Sequence, residues 1–205
     1  MKTVLVAQSK GGVGKSTLVC LQAMALNHCG VAVAVCDLDM QGTTSSWLTE
    51  QLPKLPNIEI LPQPDTKPSR PAALLLIDTA GRGDFAAIMD TMPAADLYLV
   101  PATPAIEDIR IAGKTVALLK QHRPQAVIRL IWNRIREGHS DSDETYLQAF
   151  TEQIGVPALR NRIHESKPYR DARFPPPTGG WARATTSKYA KELPAVATEI
   201  LSLLV

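Results

Sequence analysis

The chain has 205 residues, 45% of them hydrophobic and 20% charged, with a formal net charge of +2. That length suits one well-buried α/β domain and is short for two, and the composition is that of a folded soluble protein rather than a disordered or fibrous one. The N-terminus runs straight into an apolar stretch without a signal-peptide pattern, no apolar run is long enough to span a bilayer, and Cys20, Cys29 and Cys36 lack metal-like spacing, so they read as reduced core thiols of a cytoplasmic protein.

Val4-Leu5-Val6-Ala7 predicts the first strand. It leads into Ser9-Lys10-Gly11-Gly12-Val13-Gly14-Lys15-Ser16-Thr17 and then into a helix predicted over 16–28, with Leu18, Leu21 and Ala25 on one face and Gly30 ending it. Strand, glycine-rich turn and helix together define a phosphate-binding loop. Gly11, Gly12 and Gly14 permit backbone angles that a Cβ forbids, so successive N–H groups, those of Val13 and Thr17 included, can converge on an anion. Lys15 brings a point charge to the β and γ phosphates of a nucleotide. The Ser16 hydroxyl is placed to ligate Mg²⁺ at the start of a helix whose dipole favours negative charge.

Residues 31–36, all apolar, predict a strand buried on both faces, as in a parallel sheet. It ends in Asp37-Leu38-Asp39-Met40-Gln41-Gly42, two carboxylates just past a strand's carboxyl end, where open α/β sheets bind ligands. A short strand is predicted at 58–61. The next twelve residues, 62–73, hold four prolines, which argues against a crossover helix. Leu74-Leu75-Leu76-Ile77-Asp78-Thr79-Ala80-Gly81 has the form of a Walker B strand and switch: Asp78 can hold Mg²⁺ through water, and Gly81 can swing its N–H toward a γ phosphate.

Another buried strand is predicted at 95–100, after which Pro101-Ala102-Thr103-Pro104 turns the chain into a helix carrying Ile109, Ala112, Val116 and Leu119 at helical spacing. The strand at 127–132 delivers Asn133-Arg134. Beyond a polar loop at 138–143, Tyr146, Phe150 and Ile154 mark a helix face, and 174–180 is rigid, then flexible. The terminal stripe Leu193, Val196, Ile200, Leu203 and Leu204 is expected to pack on the sheet. The whole reads as one α/β domain over 1–205, a doubly wound and mainly parallel sheet with helices on both faces, more loosely organised from 155 onward.

One departure from the usual G-x-x-x-x-G-K-[ST] loop narrows this further. Ser9 replaces the first glycine and Lys10 adds a second lysine, and the resulting K-G-G-x-G-K-[ST] resembles the ParA/MinD family of partition and positioning ATPases. The resemblance covers the first 135 residues well and the remainder loosely. It implies that ATP and Mg²⁺ are the cofactors and that Lys10 reaches across an ATP-bound homodimer to the partner's phosphates. By the same resemblance Asp39, in D-x-D-x-Q, positions the attacking water with Asp37 near the metal. The helix after Pro104 lines the dimer contact, Asn133 meets adenine, and 174–177 closes over it. Asn suits such a contact because it offers both donor and acceptor to a base edge.

Residues 160–191 carry eight basic side chains against two acidic ones, a net of +6, which leaves about −4 on the rest of the chain. Such a cluster suits DNA phosphates, which need positive charge without base-specific geometry. Arg160, Arg162, Lys167, Arg170 and Arg173 are the leading candidates for contact with non-specific DNA. The expectation is therefore a slow, dimerising ATPase of the compact partition type, stimulated by a ParB-like or other adaptor protein and associated with the nucleoid, with no DNA-binding regulatory domain ahead of the phosphate loop. Two alternatives share the scaffold. A MinD-like membrane-bound positioning switch is disfavoured because no Lys or Arg follows Lys191. A metabolic enzyme would resemble dethiobiotin synthetase, or nitrogenase reductase, whose iron cluster would lack a ligand here because no cysteine follows Cys36.

Overall fold

The apolar runs come together in one six-stranded sheet. The structure is a computed structural model and describes residues 1–51, 54–81, 89–136, 141–172 and 181–205. Strands β1 (Lys2–Val6), β2 (Val33–Asp37), β3 (Ile58–Leu61), β4 (Leu74–Asp78), β5 (Leu97–Ala102) and β6 (Ile128–Trp132) pair in the order β3-β2-β4-β1-β5-β6. Every pairing is parallel. Successive side chains of a strand point to opposite faces, so a sheet covered on both sides needs strands that are apolar throughout. Accordingly Val4, Val6, Val35 and Leu76 enter one core while Leu5, Ala34, Cys36 and Ile77 enter the other.

Helix α1 (Lys15–His28) follows β1, and Leu18 to Leu26 are buried all round rather than along one stripe. The reason lies in its neighbours: α2 (Thr43–Gln51) and the C-terminal α7 (Glu192–Ser202) enclose it against the sheet. The terminal helix therefore packs mainly on α1, not directly on the sheet as expected, through Leu193, Val196, Ala197 and Ile200. Helix α3 (Ile106–His122) covers the opposite face with the predicted Ile109, Ala112, Val116 and Leu119, beside α4 (Asp141–Ile154). In α4 the buried positions are Leu147 and Ile154, whereas Tyr146 is exposed and meets Phe150 edge-on. Short helices α5 (Lys167–Asp171) and α6 (Trp181–Thr186) precede α7.

Of three local outcomes, the first is as expected and the other two extend or correct the sequence reading. Residues 62–73 cross from β3 to β4 without a helix, as the prolines require. Residues 157–165 lie along β6 through parallel bridges at Leu130–Ala158 and Ile135–His164, extending the sheet edge. Cys20 and Cys36 are buried, but Cys29, at the end of α1, is exposed and so is not a core thiol.

Burial of α1 on all sides gives a stability test. Leu21→Ala should cost roughly 2–5 kcal/mol, the range for opening a cavity in a packed core, and urea unfolding monitored by circular dichroism measures it.

Candidate nucleotide-binding site

All six strands run the same way, so the loops that follow their carboxyl ends share one rim of the sheet. At that rim a cleft of about 410 Å³ is lined by Gly11, Gly12, Gly14, Lys15, Ser16 and Thr17, together with Asp39, Met40, Gln41, Thr43, Ala80, Gly81 and Arg134. The phosphate loop, the first carboxylate switch and the second switch, separate in sequence, are thus neighbours in space. Val13 is buried beneath the loop.

The start of α1 is built to receive an anion. Gly14 caps it at φ 94° with no side-chain hydrogen bond, and the first turn contains no acidic residue. Among the described residues the helix's leading N–H groups therefore have no side-chain acceptor, and the dipole is uncompensated by its own first turn. Gly14 is required twice over, because a Cβ would also lie 2.6 Å from Asn133 Nδ2. Lys15 is 6% exposed and donates to the Lys10 carbonyl at 3.2 Å. Burial lowers its pKa, against the opposing pull of the Asp78 and Asp39 carboxylates. Gly81 presses on this ammonium: a Cβ there would sit 2.5 Å from Lys15 Nζ.

Asp78 has no solvent exposure. Its Oδ2 accepts from Thr44 Oγ1 at 2.7 Å, while Oδ1 has no hydrogen-bond partner among the described residues. Burial pushes its pKa up to about 6, with the Thr44 and Ser16 hydroxyls pulling back and Asp37 adding to the rise. A buried carboxylate oxygen left unpaired beside a serine hydroxyl fits a hard cation that takes oxygen ligands and keeps waters. Asp37 is engaged differently: Oδ1 accepts from Asp39 N–H at 3.0 Å and Oδ2 from Ser45 N–H at 2.9 Å, so it shapes the turn and the start of α2. Asp39 lines the cleft and bonds Gln41 N–H at 3.0 Å.

Lys10 does not line the cleft. Its ammonium pairs with Asp108 in the first turn of α3, and Asp108 also accepts from Thr103 Oγ1 at 2.6 Å. Ser9, the other departure from the usual loop, is likewise tied to α3, with its hydroxyl 3.2 Å from Thr115 Oγ1. Sequence reasoning missed Asp108 and Thr115, because neither stands in a motif and their partners are about a hundred positions away.

Asn133 is buried and bridges two loops, its Nδ2 donating to Val13 O at 2.9 Å and its Oδ1 accepting from Arg134 N–H at 3.0 Å. It also lines a second, smaller cavity with Thr17, Leu18, Ile163, His164, Tyr169 and Arg170, alongside the phosphate cleft. Arg134 borders both cavities and holds φ 55° without being glycine. Such backbone costs of order 1–3 kcal/mol and is kept where the surroundings impose it.

The predicted DNA contacts are only partly free. Arg160, Lys167 and Arg170 are exposed; Arg162 pairs with Glu144 at 2.5 Å, and Arg170 lies 3.8 Å from Glu165. Glu199 accepts from the backbone N–H groups of Arg160 and Asn161 at 2.7 and 3.0 Å, fixing this segment to α7. Arg173, residues 174–177 and part of the predicted polar loop, 138–140, lie outside the described residues.

A parallel sheet with a glycine loop at its central strand, an uncapped helix behind it and a buried aspartate on the adjacent strand defines a P-loop nucleotide-binding protein. The profile of the CobQ/CobB/MinD/ParA nucleotide binding domain matches residues 4–173, and the chain belongs to this ParA/MinD family. It is 28% identical over 142 residues to Protein ParA of Rhizobium radiobacter, an alignment covering 64% of this chain and 61% of that relative's length. Among solved structures, MinD of Aquifex aeolicus superposes with a TM-score of 0.76 at 18% identity, covering 98% of each chain. An ATP complex of Cyanothece McdA does so at 0.76 and 17%, covering 98% of this chain and 96% of the other. At these identities the structural likeness speaks for the fold. Among the described residues no helix is long and apolar enough to cross a membrane.

The orphaned Asp78 oxygen has a consequence for stability. A carboxylate whose pKa is higher folded than unfolded stabilises the metal-free protein only while it is protonated, so that contribution is lost as pH rises from about 4 through about 6. Asp78→Asn should remove this slope and raise the metal-free stability at pH 7 by at most about 3 kcal/mol, seen as a higher melting temperature. Thermal unfolding of both proteins between pH 4 and 8 with chelator present checks it; a wild-type slope retained in the variant would refute the assignment.

Proposed function

We propose that the protein is an ATP-driven dimerising switch that partitions DNA or positions a cargo on nucleoid DNA. The observation that carries the reading is the double-lysine loop in its setting: Lys15 buried in the phosphate cradle, and Lys10 outside it on the same rim, paired with Asp108. Met40 and Ile106, fully and largely exposed near the cleft and at the start of α3, supply apolar surface of the kind a second copy can cover.

In this reading Lys15 and the N-terminus of α1 bind the β and γ phosphates, Ser16 and Asp78 hold Mg²⁺, and Asp39 orients the attacking water. Mg²⁺ when bound supplies charge neutralisation across the phosphate oxygens. Lys10 leaves Asp108 to reach the partner's nucleotide, so that hydrolysis is coupled to dimerisation. The catalysis required is positioning and electrostatics, which this set of residues provides without a covalent intermediate. Asp37 serves by holding the Asp39 turn rather than by direct ligation.

The DNA half of the proposal rests on the exposed Arg160, Lys167 and Arg170 and on the likeness to a protein named ParA. Arg173 and the contribution of an adaptor protein belong to the same proposal, as does the single-domain organisation. The second reading, a membrane-positioning switch, draws on the MinD likeness. The apolar face of α7 is not available for a membrane surface, because it is spent on α1.

Two measurements separate these possibilities. DNA binding with ATP, ADP or no nucleotide across a salt series should be strong only with ATP and fall steeply with salt, as expected when phosphates are neutralised by lysine and arginine; absence of DNA binding in every state overturns the partition reading, and liposome binding in its place favours the membrane switch. Lys10→Ala should keep ATP binding and lose dimer-coupled hydrolysis by roughly a hundredfold or more. Undiminished hydrolysis in that variant would remove the case for a lysine acting across the dimer.

A further inference from the structure

Arg134 is singled out by its backbone, its position and the absence of an ion pair among the described residues. It occupies the left-handed region at φ 55°, where Gly or Asn is the ordinary choice if a turn is all that is needed. Asn133 locks the bend, accepting Arg134 N–H through Oδ1 and donating to Val13 O through Nδ2. The bend brings the guanidinium against the start of α1: Arg134 Nε and an η nitrogen lie 3.8 and 3.9 Å from where a Cβ of Gly14 would stand. The side chain is thereby placed at the junction of the phosphate cleft and the smaller cavity lined by Asn133, Tyr169 and His164.

The guanidinium has no ion pair among the described residues, although acids are near. A third cavity, also bordered by Arg134, contains Asp108 and Glu165. Asp108 is taken by Lys10 and Thr103, and Glu165 lies within 4 Å of Arg136 and Arg170. An arginine held over a phosphate cradle in strained backbone, with the neighbouring carboxylates already engaged, is poised for an external anion, and its planar fork suits a phosphate better than a lysine would.

We propose that Arg134 is a nucleotide-binding residue that grips the phosphate nearest the base, between the β and γ phosphates held by the loop and the base in the smaller cavity. The proposal rests on the nucleotide-switch reading above and adds a ligand contact to it. This phosphate is common to ADP and ATP, so Arg134 strengthens binding of both in the monomer, independently of Lys10 and of dimerisation. It also accounts for the retained strain: the same bend that destabilises the empty protein aims the side chain at its ligand.

The test measures ADP binding by calorimetry and the nucleotide-free melting temperature, for the full chain and for Arg134→Gln, Arg134→Gly and, as a control, Arg136→Gln. Arg134→Gln should weaken ADP roughly ten- to a hundredfold, the usual worth of a charge-assisted hydrogen bond, and Arg136→Gln should not. Arg134→Gly should weaken ADP equally while raising the nucleotide-free melting temperature, because glycine relieves the strain. If wild type binds ADP and both Arg134 variants bind within twofold of it, or if Arg136→Gln loses as much, the assignment is overturned and the nucleotide switch stands. If wild type binds no adenine nucleotide, both fall together.

Discussion

Asp78 carries a carboxyl group away from solvent, at the end of a strand whose other residues are apolar and buried. An ionised carboxylate there is costly unless it is compensated, and the compensation present is partial: one hydroxyl from Thr44, a nearby Ser16 and the Lys15 ammonium. Helix α2 supplies Thr44, and Asp37 of the neighbouring strand secures the start of that helix through Ser45. The second switch ends in Gly81, which has no side chain because Lys15 needs the space. Much of the rim is therefore arranged around a charge that the protein alone leaves incompletely satisfied.

The parallel sheet makes that arrangement possible. β1 is paired on one side with β4 and on the other with β5, so the phosphate loop, Asp78 and the start of α3 emerge side by side. Gln8, buried just after β1, extends this by donating to Pro101 O and accepting from Thr115 Oγ1. Both residues by which the loop departs from the common pattern, Ser9 and Lys10, bond to α3. The departures join the phosphate site to the helix that the family resemblance puts at the dimer contact.

What could be read in the sequence was what depends on local pattern. The strands at 31–36 and 74–77 were legible as unbroken apolar runs, the loop by its glycines and lysines, and Asp78 by ending such a run. Helix α2 was not, because TTSSWLTEQ buries only Thr44, Trp47, Leu48 and Gln51 and has little apolar periodicity. The Lys10–Asp108 pair joins residues 98 positions apart, and no motif announces it. Tyr146 looked like a core residue at helical spacing, but the helix turns Leu147 inward instead. Arg134 was visible only as the neighbour of Asn133, since positive φ is a property of the folded turn that nothing about an arginine in the sequence announces.

The Lys10–Asp108 pair bears on how any docking at this rim would respond to ionic strength. An unpaired lysine recruited to a phosphate creates a new attraction, and salt screens it. Lys10 already has an anion, so moving to a phosphate is an exchange of counter-charges, with Asp108 left to Thr103 and to whatever approaches α3. The net charge gained in such an exchange is small. Were Lys10 to make that exchange, the contact would be governed by geometry and desolvation more than by long-range attraction, since its charge is already paired before a second copy arrives.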